Sequence, residues 1–222
     1  MREHIESKLF HPSARPAGQG ITIGTPRFYD LSGALLLPRR RRTYRTLVAA
    51  TAVQREDRVL DVGCGPGYFT RMLAEAIGPE GSVVGIDAAP EMIEYASRKA
   101  RGLANCRFQP GTAASLPFPE ATFDAVVSSL VVHHLVEDER LRAIREMRRV
   151  LRPGGTLLLA DFGIPERGVW RLIASVTGHT AKQRSIPALE PLVNGAGFAG
   201  LRSGDAPPWL HFVRATRPPV SS

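Results

Sequence analysis

The chain reads as an α/β protein in which a doubly wound, largely parallel sheet carries helices on both faces. Three observations support this. From residue 57 onward short apolar runs alternate with helix-length segments. The runs Val83-Val84-Gly85-Ile86, Ala125-Val126-Val127 and Leu157-Leu158-Leu159 are continuous rather than alternating, as expected of strands buried on both sides. A strand-like segment also runs into Gly63-Cys64-Gly65-Pro66-Gly67 just before a helical pattern begins.

In chain order, residues 1–37 hold scattered Gly and Pro without sustained periodicity and predict an arm with a short helical piece around Arg27–Leu37. Pro38 suits a helix first turn, and Leu47, Val48 and Val53 give one apolar side to a helix over 38–53. The alternation then predicts strand 58–63, helix 67–78, strand 82–87, helix 90–102, strand 106–110, strand 123–129, helix 138–151 and strand 155–162. Beyond 163, a polar loop near 177–187 leads to a helix over 187–195, stopped by Gly195-Ala196-Gly197. Strands over 200–204 and 209–216, joined through Gly204-Asp205-Ala206-Pro207-Pro208, predict a hairpin with one strand antiparallel to the rest. One domain over 1–222 is expected: a cap at 1–56, a core at 57–162 and a substrate-side segment with the hairpin at 163–222.

The 222 residues carry 43% apolar and 23% charged side chains, ordinary values for a globular protein. No apolar run reaches the roughly 18–20 residues that cross a bilayer, and the charged N-terminus does not read as a signal peptide. Cys64 and Cys106 make neither a metal-ligand pattern nor a disulfide framework, so no metal and a cytoplasmic location are expected. The formal charge is +8, and the lysines are only Lys8, Lys99 and Lys182. Arg39-Arg40-Arg41-Arg42 with Arg45 reads either as a contact for an anionic partner or as a solvated helix face.

The glycine loop discriminates between ligands. A dinucleotide fingerprint needs a small residue where this chain has Tyr68, counting Gly-x-Gly-x-x from Gly63. Asp61, two residues before Gly63, would repel a pyrophosphate but favour a cationic amino group. S-adenosyl-L-methionine carries an ammonium and a sulfonium and no phosphate, so it is the expected cofactor, and NAD is not. Asp87 ends the next strand, where an acid in nucleotide-binding α/β folds receives both ribose hydroxyls. The competing reading is that Asp87 caps the following helix, because Pro90 comes close behind.

These blocks, with Leu116-Pro117-Phe118, Phe123-Asp124-Ala125-Val126, His133-His134-Leu135 and Arg149-Val150-Leu151-Arg152-Pro153-Gly154-Gly155, occur in an order that resembles the class I S-adenosylmethionine-dependent methyltransferases. The resemblance is closest to the group containing the ubiquinone/menaquinone-biosynthesis enzymes and spans about Val59–Phe162. It implies a Rossmann-like sheet of seven strands, mostly parallel, with an antiparallel strand in the C-terminal hairpin. It also implies that Asp61, Gly63, Cys64 and Gly65 hold the methionyl part, and that Asp87 and Ala88 meet the ribose. Met92 would pack on adenine, which Gly111, Thr112 and Ala113 would also line. Thr112 stands where the family often has an acid, which weakens the expected contact to the adenine amine. Ser128 and Ser129 would pass beneath the methionine portion. Tyr29, in Phe28-Tyr29-Asp30, resembles an aromatic near the cofactor mouth.

Methyl transfer from a sulfonium is an in-line displacement governed mainly by positioning. Where a general base is used, His133 and His134, beyond the fourth strand, are the candidates, and His179 and His211 are weaker ones. The absence of Asn/Asp-Pro-Pro-aromatic after the fourth strand, which reads Ser128-Ser129-Leu130-Val131, argues against methylation of base amines in nucleic acid. A small organic acceptor (phenolic, quinone-like or a carbon acid) is expected, with an RNA or protein substrate recruited through the arginine run as the alternative. Phe28, Tyr29 and Leu35–Leu37 would close an apolar acceptor pocket against Trp170, Ile173 and Val176.

Overall fold

The structure is a computed structural model that describes residues 40–162, 188–208 and 210–219. Helix α1 (Arg40–Thr51) precedes the alternating core of β1 (Arg58–Val62), α2 (Tyr68–Ile77), β2 (Ser82–Asp87), α3 (Pro90–Lys99) and β3 (Cys106–Pro110). Then come β4 (Phe123–Ser129), a single 3-10 turn at Val132–His134, α4 (Glu137–Val150), β5 (Leu151–Phe162), α5 (Leu189–Gly195), β6 (Ala199–Ala206) and β7 (Leu210–Thr216). The seven strands form one sheet in the order β3-β2-β1-β4-β5-β7-β6. The first five are mutually parallel, and β7 runs antiparallel to both β5 and β6.

The continuous apolar runs follow from two-sided burial. Leu60, Val62, Val126, Leu157 and Leu159 face Ala143, Ile144, Met147 and Val150 of α4 and Leu189 and Val193 of α5. The intervening residues Val59, Ala125, Val127, Leu158 and Ala160 face Tyr44 and Leu47 of α1 and Phe69, Leu73 and Ile77 of α2. Each fully buried leucine among them contributes about 1.5–3 kcal/mol. Helix α4 is matched to its own dipole, with Glu137, Asp138 and Glu139 in its first turn and Arg148 and Arg149 in its last.

Two expected boundaries are corrected. Strand β5 begins at Leu151, immediately after α4, rather than at 155, with a register irregularity opposite Phe123/Ala125. Arg217 makes this direct passage possible: its buried guanidinium donates to the carbonyls of Arg148, Arg149 and Leu151, satisfying groups that a helix end leaves open. The hairpin turn is also shorter than expected, because Gly204, Asp205 and Ala206 belong to β6 and only the residues after them turn. Gly204 is packed there against the Phe212 ring, which a Cβ would meet at 2.8 Å.

The motif around Arg149 is structural. Its guanidinium binds the carbonyls of Phe118 and Leu116 and the Glu146 carboxylate, which itself accepts the Leu116 N–H. That network holds the Leu116-Pro117-Phe118 connection against α4. The arm piece at 27–37, Tyr29, the loop at 177–187, His179, and the pocket residues Phe28, Leu35–Leu37, Trp170, Ile173 and Val176 lie outside the described residues.

Candidate active site

The sheet order reverses between β1 and β4, and in open α/β sheets ligands bind beyond the C-terminal strand ends at such a switch. The glycine loop leaves β1 there. Gly63, Gly65 and Gly67 all adopt positive φ, at 73°, 51° and 72°. The N–H groups of Gly63 and Cys64 both donate to the Ile86 carbonyl at 2.8 Å, which keeps the loop bound to the end of β2.

Two of the glycines are required by neighbouring side chains. A Cβ on Gly63 would lie 2.2 Å from Val131 Cγ2, so the segment after β4 presses directly on the loop. A Cβ on Gly67 would lie 2.7 Å from the Phe108 ring of β3, and one on Gly85 would meet the same ring at 2.7 Å. The third glycine of the motif is therefore a packing requirement of Phe108.

Two acids stand at the strand tips. Asp87 accepts the Gly65 N–H on Oδ2 and the Ala89 N–H on Oδ1, both at 2.9 Å. It thus bridges the glycine loop and the start of α3, while Ala89, not Asp87, is the N-cap of that helix. Burial raises its pKa, against the stabilising N–H bonds from Ala89, Gly65 and Ala88. Asp61 is 1% exposed and accepts the Thr70 hydroxyl at 2.7 Å. Burial pushes its carboxyl up to about 7, the Thr70 bond opposing and the Asp87 charge adding to the rise. Two desolvated carboxylates beside the same loop can accept from a ligand's cation and hydroxyl groups and would repel one with phosphates.

The other candidate residues divide by what their side chains touch. Met92 is buried on α3, Ala88 is exposed, and Gly111 ties the tip of β3 to β2 through its N–H to the Asp87 carbonyl at 3.0 Å. Thr112 is exposed and bridges to Ser115, with Ala113 half-buried beside it. The Cys64 thiol is buried, and Ser128 is buried with its hydroxyl donating to the Val62 carbonyl at 2.8 Å, so both side chains serve the protein interior. Ser129 is half-buried, and its Oγ stands 3.5 Å from the Tyr44 hydroxyl.

Tyr44 was not legible in the sequence as a site residue. It inserts its ring between Tyr68 and Phe69, at centroid distances of 5.3 and 5.2 Å, and so locks α1 onto the helix that follows the glycine loop. Arg40 lies 3.9 Å above the Tyr68 ring. The arginine run is thereby split: Arg40 belongs to this aromatic cluster, whereas Arg41, Arg42 and Arg45 are exposed.

Beyond β4 the chain turns sharply. Leu130 adopts φ 62°, a left-handed conformation costing about 1–2 kcal/mol for a residue with a side chain. Its N–H donates to the Ala160 carbonyl at 2.8 Å, which holds the turn. His133 and His134 follow, with ring centroids 3.9 Å apart, and Phe162 lies 5.3 Å from His133 and is 39% exposed. His133 Nδ1 meets Asp161 Oδ1 at 2.6 Å. His211 is placed differently: Nδ1 meets Asp205 at 2.9 Å and Nε2 meets Glu190 at 3.0 Å. Partial burial opposes charge on that ring, yet the two carboxylates hold its pKa above the ordinary value. With both nitrogens engaged, it ties α5 to the hairpin.

Residues 59–155 match the family described as Methyltransferase domain. A demethylmenaquinone methyltransferase of Thermus thermophilus is 36% identical over 172 residues, 77% of this chain and 74% of that protein. The uncharacterized methyltransferase YcgJ of Bacillus subtilis is 39% identical over 122 residues, 54% of this chain and 46% of that protein. The chain thus spans about half the length of several curated relatives it matches. Among solved structures, a SAM-dependent methyltransferase of Aquifex aeolicus superposes with a TM-score of 0.70 at 22% identity, covering 88% of this chain and all (100%) of that one, a likeness of fold. The glycine cradle and the acid pair, Asp61 buried and Asp87 half-buried, fit S-adenosylmethionine, the cofactor of such enzymes. The chain belongs to the class I S-adenosylmethionine-dependent methyltransferases, in the group that includes the menaquinone-biosynthesis enzymes.

Proposed function

We propose that this protein methylates a small aromatic acceptor of the quinol or phenol class. The observation that carries the reading is the 36% identity, over most of both chains, to a demethylmenaquinone methyltransferase. The imidazole pair beyond β4 agrees with it, because a quinol hydroxyl becomes a strong carbon or oxygen nucleophile only on losing its proton. Helix-bound Arg41, Arg42 and Arg45 leave an RNA or protein acceptor as the weaker reading, since Arg40 is engaged with Tyr68. No helix among the described residues is long and apolar enough to cross a membrane.

S-adenosylmethionine supplies an electrophilic methyl group on a sulfonium that leaves as a neutral thioether. The glycine loop would hold it, with Asp87 accepting the ribose hydroxyls through its remaining lone pairs and Asp61 supplying the negative field for the ammonium. Met92, Gly111, Thr112 and Ala113 would border the adenine, and Ser128 and Ser129 would lie by the methionyl part. Incubation with the labelled cofactor and a reduced short-chain naphthoquinol, beside RNA and protein pools, tests the assignment. Label in the naphthoquinol ring is expected; label confined to RNA or protein would overturn it.

The raised pKa of Asp61 predicts a pH-dependent affinity. Ammonium binding selects the ionised carboxylate, so below about pH 7 a proton must leave Asp61 on binding. The dissociation constant of S-adenosylhomocysteine is expected to rise toward about tenfold per pH unit below that point. Stability of the unliganded protein has the opposite sign. Because the folded pKa lies above the ordinary 3.8, this group's contribution is complete below 3.8 and is lost as pH rises through about 7. Calorimetry across this range should show the slope in the wild type and a flat profile in Asp61→Asn. A wild-type affinity independent of pH would contradict the role given to Asp61.

A further inference from the structure

We propose that Asp161 is a positioning residue that sets His133 as the proton acceptor of the site. The inference rests on the methyl-transfer reading above and adds a residue that no sequence motif singled out. Asp161 is the penultimate residue of β5 and is 1% exposed, yet its carboxylate is met by three donors. Oδ2 accepts the His133 N–H at 3.0 Å, and Oδ1 accepts the Phe162 N–H at 2.8 Å while lying 2.6 Å from His133 Nδ1. One carboxylate thus grips His133 by both its backbone and its ring.

The grip determines the tautomer. A carboxylate only accepts hydrogen bonds, so Nδ1 carries the proton and donates it to Asp161. The lone pair of a neutral ring then lies on Nε2, the nitrogen on the far side from the carboxylate. The His133 side chain is 20% exposed, compared with 1% for Asp161, so the ring is the accessible member of the pair. The 3-10 turn that carries it begins at Val132, beside the Val131 that presses on Gly63. The pair therefore stands next to the glycine loop, beyond the C-terminal ends of β4 and β5, where the acceptor must approach the methyl group.

The step it supports is balanced. Nε2 takes the hydroxyl proton of the acceptor, the acceptor electron pair released onto the ring carbon forms the new bond to the methyl carbon, and the carbon–sulfur pair leaves with sulfur. The methylated ring carbon then gives up its hydrogen as a proton while the ring oxygen takes one back. The imidazolium so formed is neutralised by Asp161 and returns its proton to water. His134, with its ring centroid 3.9 Å away, and exposed Phe162 flank the ring and limit its rotation.

Two measurements test the pair. Imidazole nitrogen shifts of the full-length protein, with or without S-adenosylhomocysteine, are expected to show the Nδ1–H tautomer for His133. In Asp161→Asn the new amide can donate to Nδ1, so the Nε2–H tautomer should appear. That variant should lose about 10²- to 10⁴-fold in kcat with the naphthoquinol while the acceptor KM and cofactor affinity hold, the pattern of a misoriented base. An Nε2–H tautomer in the wild type, or a folded Asp161→Asn with unchanged kcat, would overturn the proposal. Should Asp161→Asn fail to fold, the wild-type tautomer and His133→Gln decide, the latter expected to lose kcat with cofactor affinity retained. A wild type that binds cofactor but turns over no naphthoquinol defeats the acceptor assignment, and the nitrogen shifts then judge the pair alone.

Discussion

Replacing Asp87 by alanine is expected to weaken S-adenosylhomocysteine binding by about 2–4 kcal/mol, from tens of times to nearly a thousandfold. Two losses combine. The ribose hydroxyls lose a charged acceptor, and the Gly65 N–H loses its 2.9 Å bond, so the loop is no longer held to the tip of β2. The fold should survive, because Asp87 lies at a strand end and is a desolvated carboxylate whose stabilising contacts are the backbone N–H groups of Ala89, Gly65 and Ala88. Asp87→Asn should fall between wild type and alanine: one acceptor oxygen remains, while the amide faces either the Gly65 or the Ala89 N–H. Isothermal titration of the three proteins, with thermal melts as the control for folding, is the measurement. An alanine variant that melts normally and binds at wild-type affinity would place the ribose elsewhere.

Gly63→Ala is expected to cost about 2–5 kcal/mol of stability and to abolish cofactor binding. Part of the cost is conformational, since φ there is 73°, and part is steric, since the new Cβ would sit 2.2 Å from Val131 Cγ2. The two parts separate experimentally. Val131→Ala removes both γ-methyl groups and leaves Cβ at 3.2 Å from the introduced methyl, so the double variant should regain the steric share and keep the conformational one. Urea denaturation of the four proteins of this cycle reads the coupling. Additive losses would mean that Val131 and Gly63 do not press on each other in solution.

The cofactor class was legible because its information is local. Asp61, Gly63, Gly65 and Tyr68 lie within eight consecutive positions, and their spacing alone separates a cationic ligand from a pyrophosphate. The continuous apolar runs predicted a sheet buried on both faces, and alternate residues of β1, β4 and β5 do face opposite helices. The hairpin was legible from its turn residues, though its turn was placed too early, because Gly204 serves Phe212 inside β6 and looks from sequence like punctuation.

The meeting of His133 and Asp161 needed the tertiary structure. Asp161 is 28 residues from His133, and neither residue type is distinctive in a strand or a turn; their meeting follows from the parallel register of β4 and β5, which pairs Ser129 with Ala160. Arg40 and Tyr68 are likewise distant in sequence, so the arginine run looked uniform until the packing of α1 on α2 engaged one member and left three exposed. Gly67 reads as part of a ligand motif, but the Phe108 ring from another strand is what excludes a Cβ there. Sequence by itself determined the α/β class, the strand succession and the cofactor chemistry, since periodicity and turn spacing act between near neighbours. The orientation of His133, the engagement of Arg40 with Tyr68 and the close packing at Gly63, Gly67 and Gly204 were decided by contacts between distant segments, which exist only once the sheet register is formed.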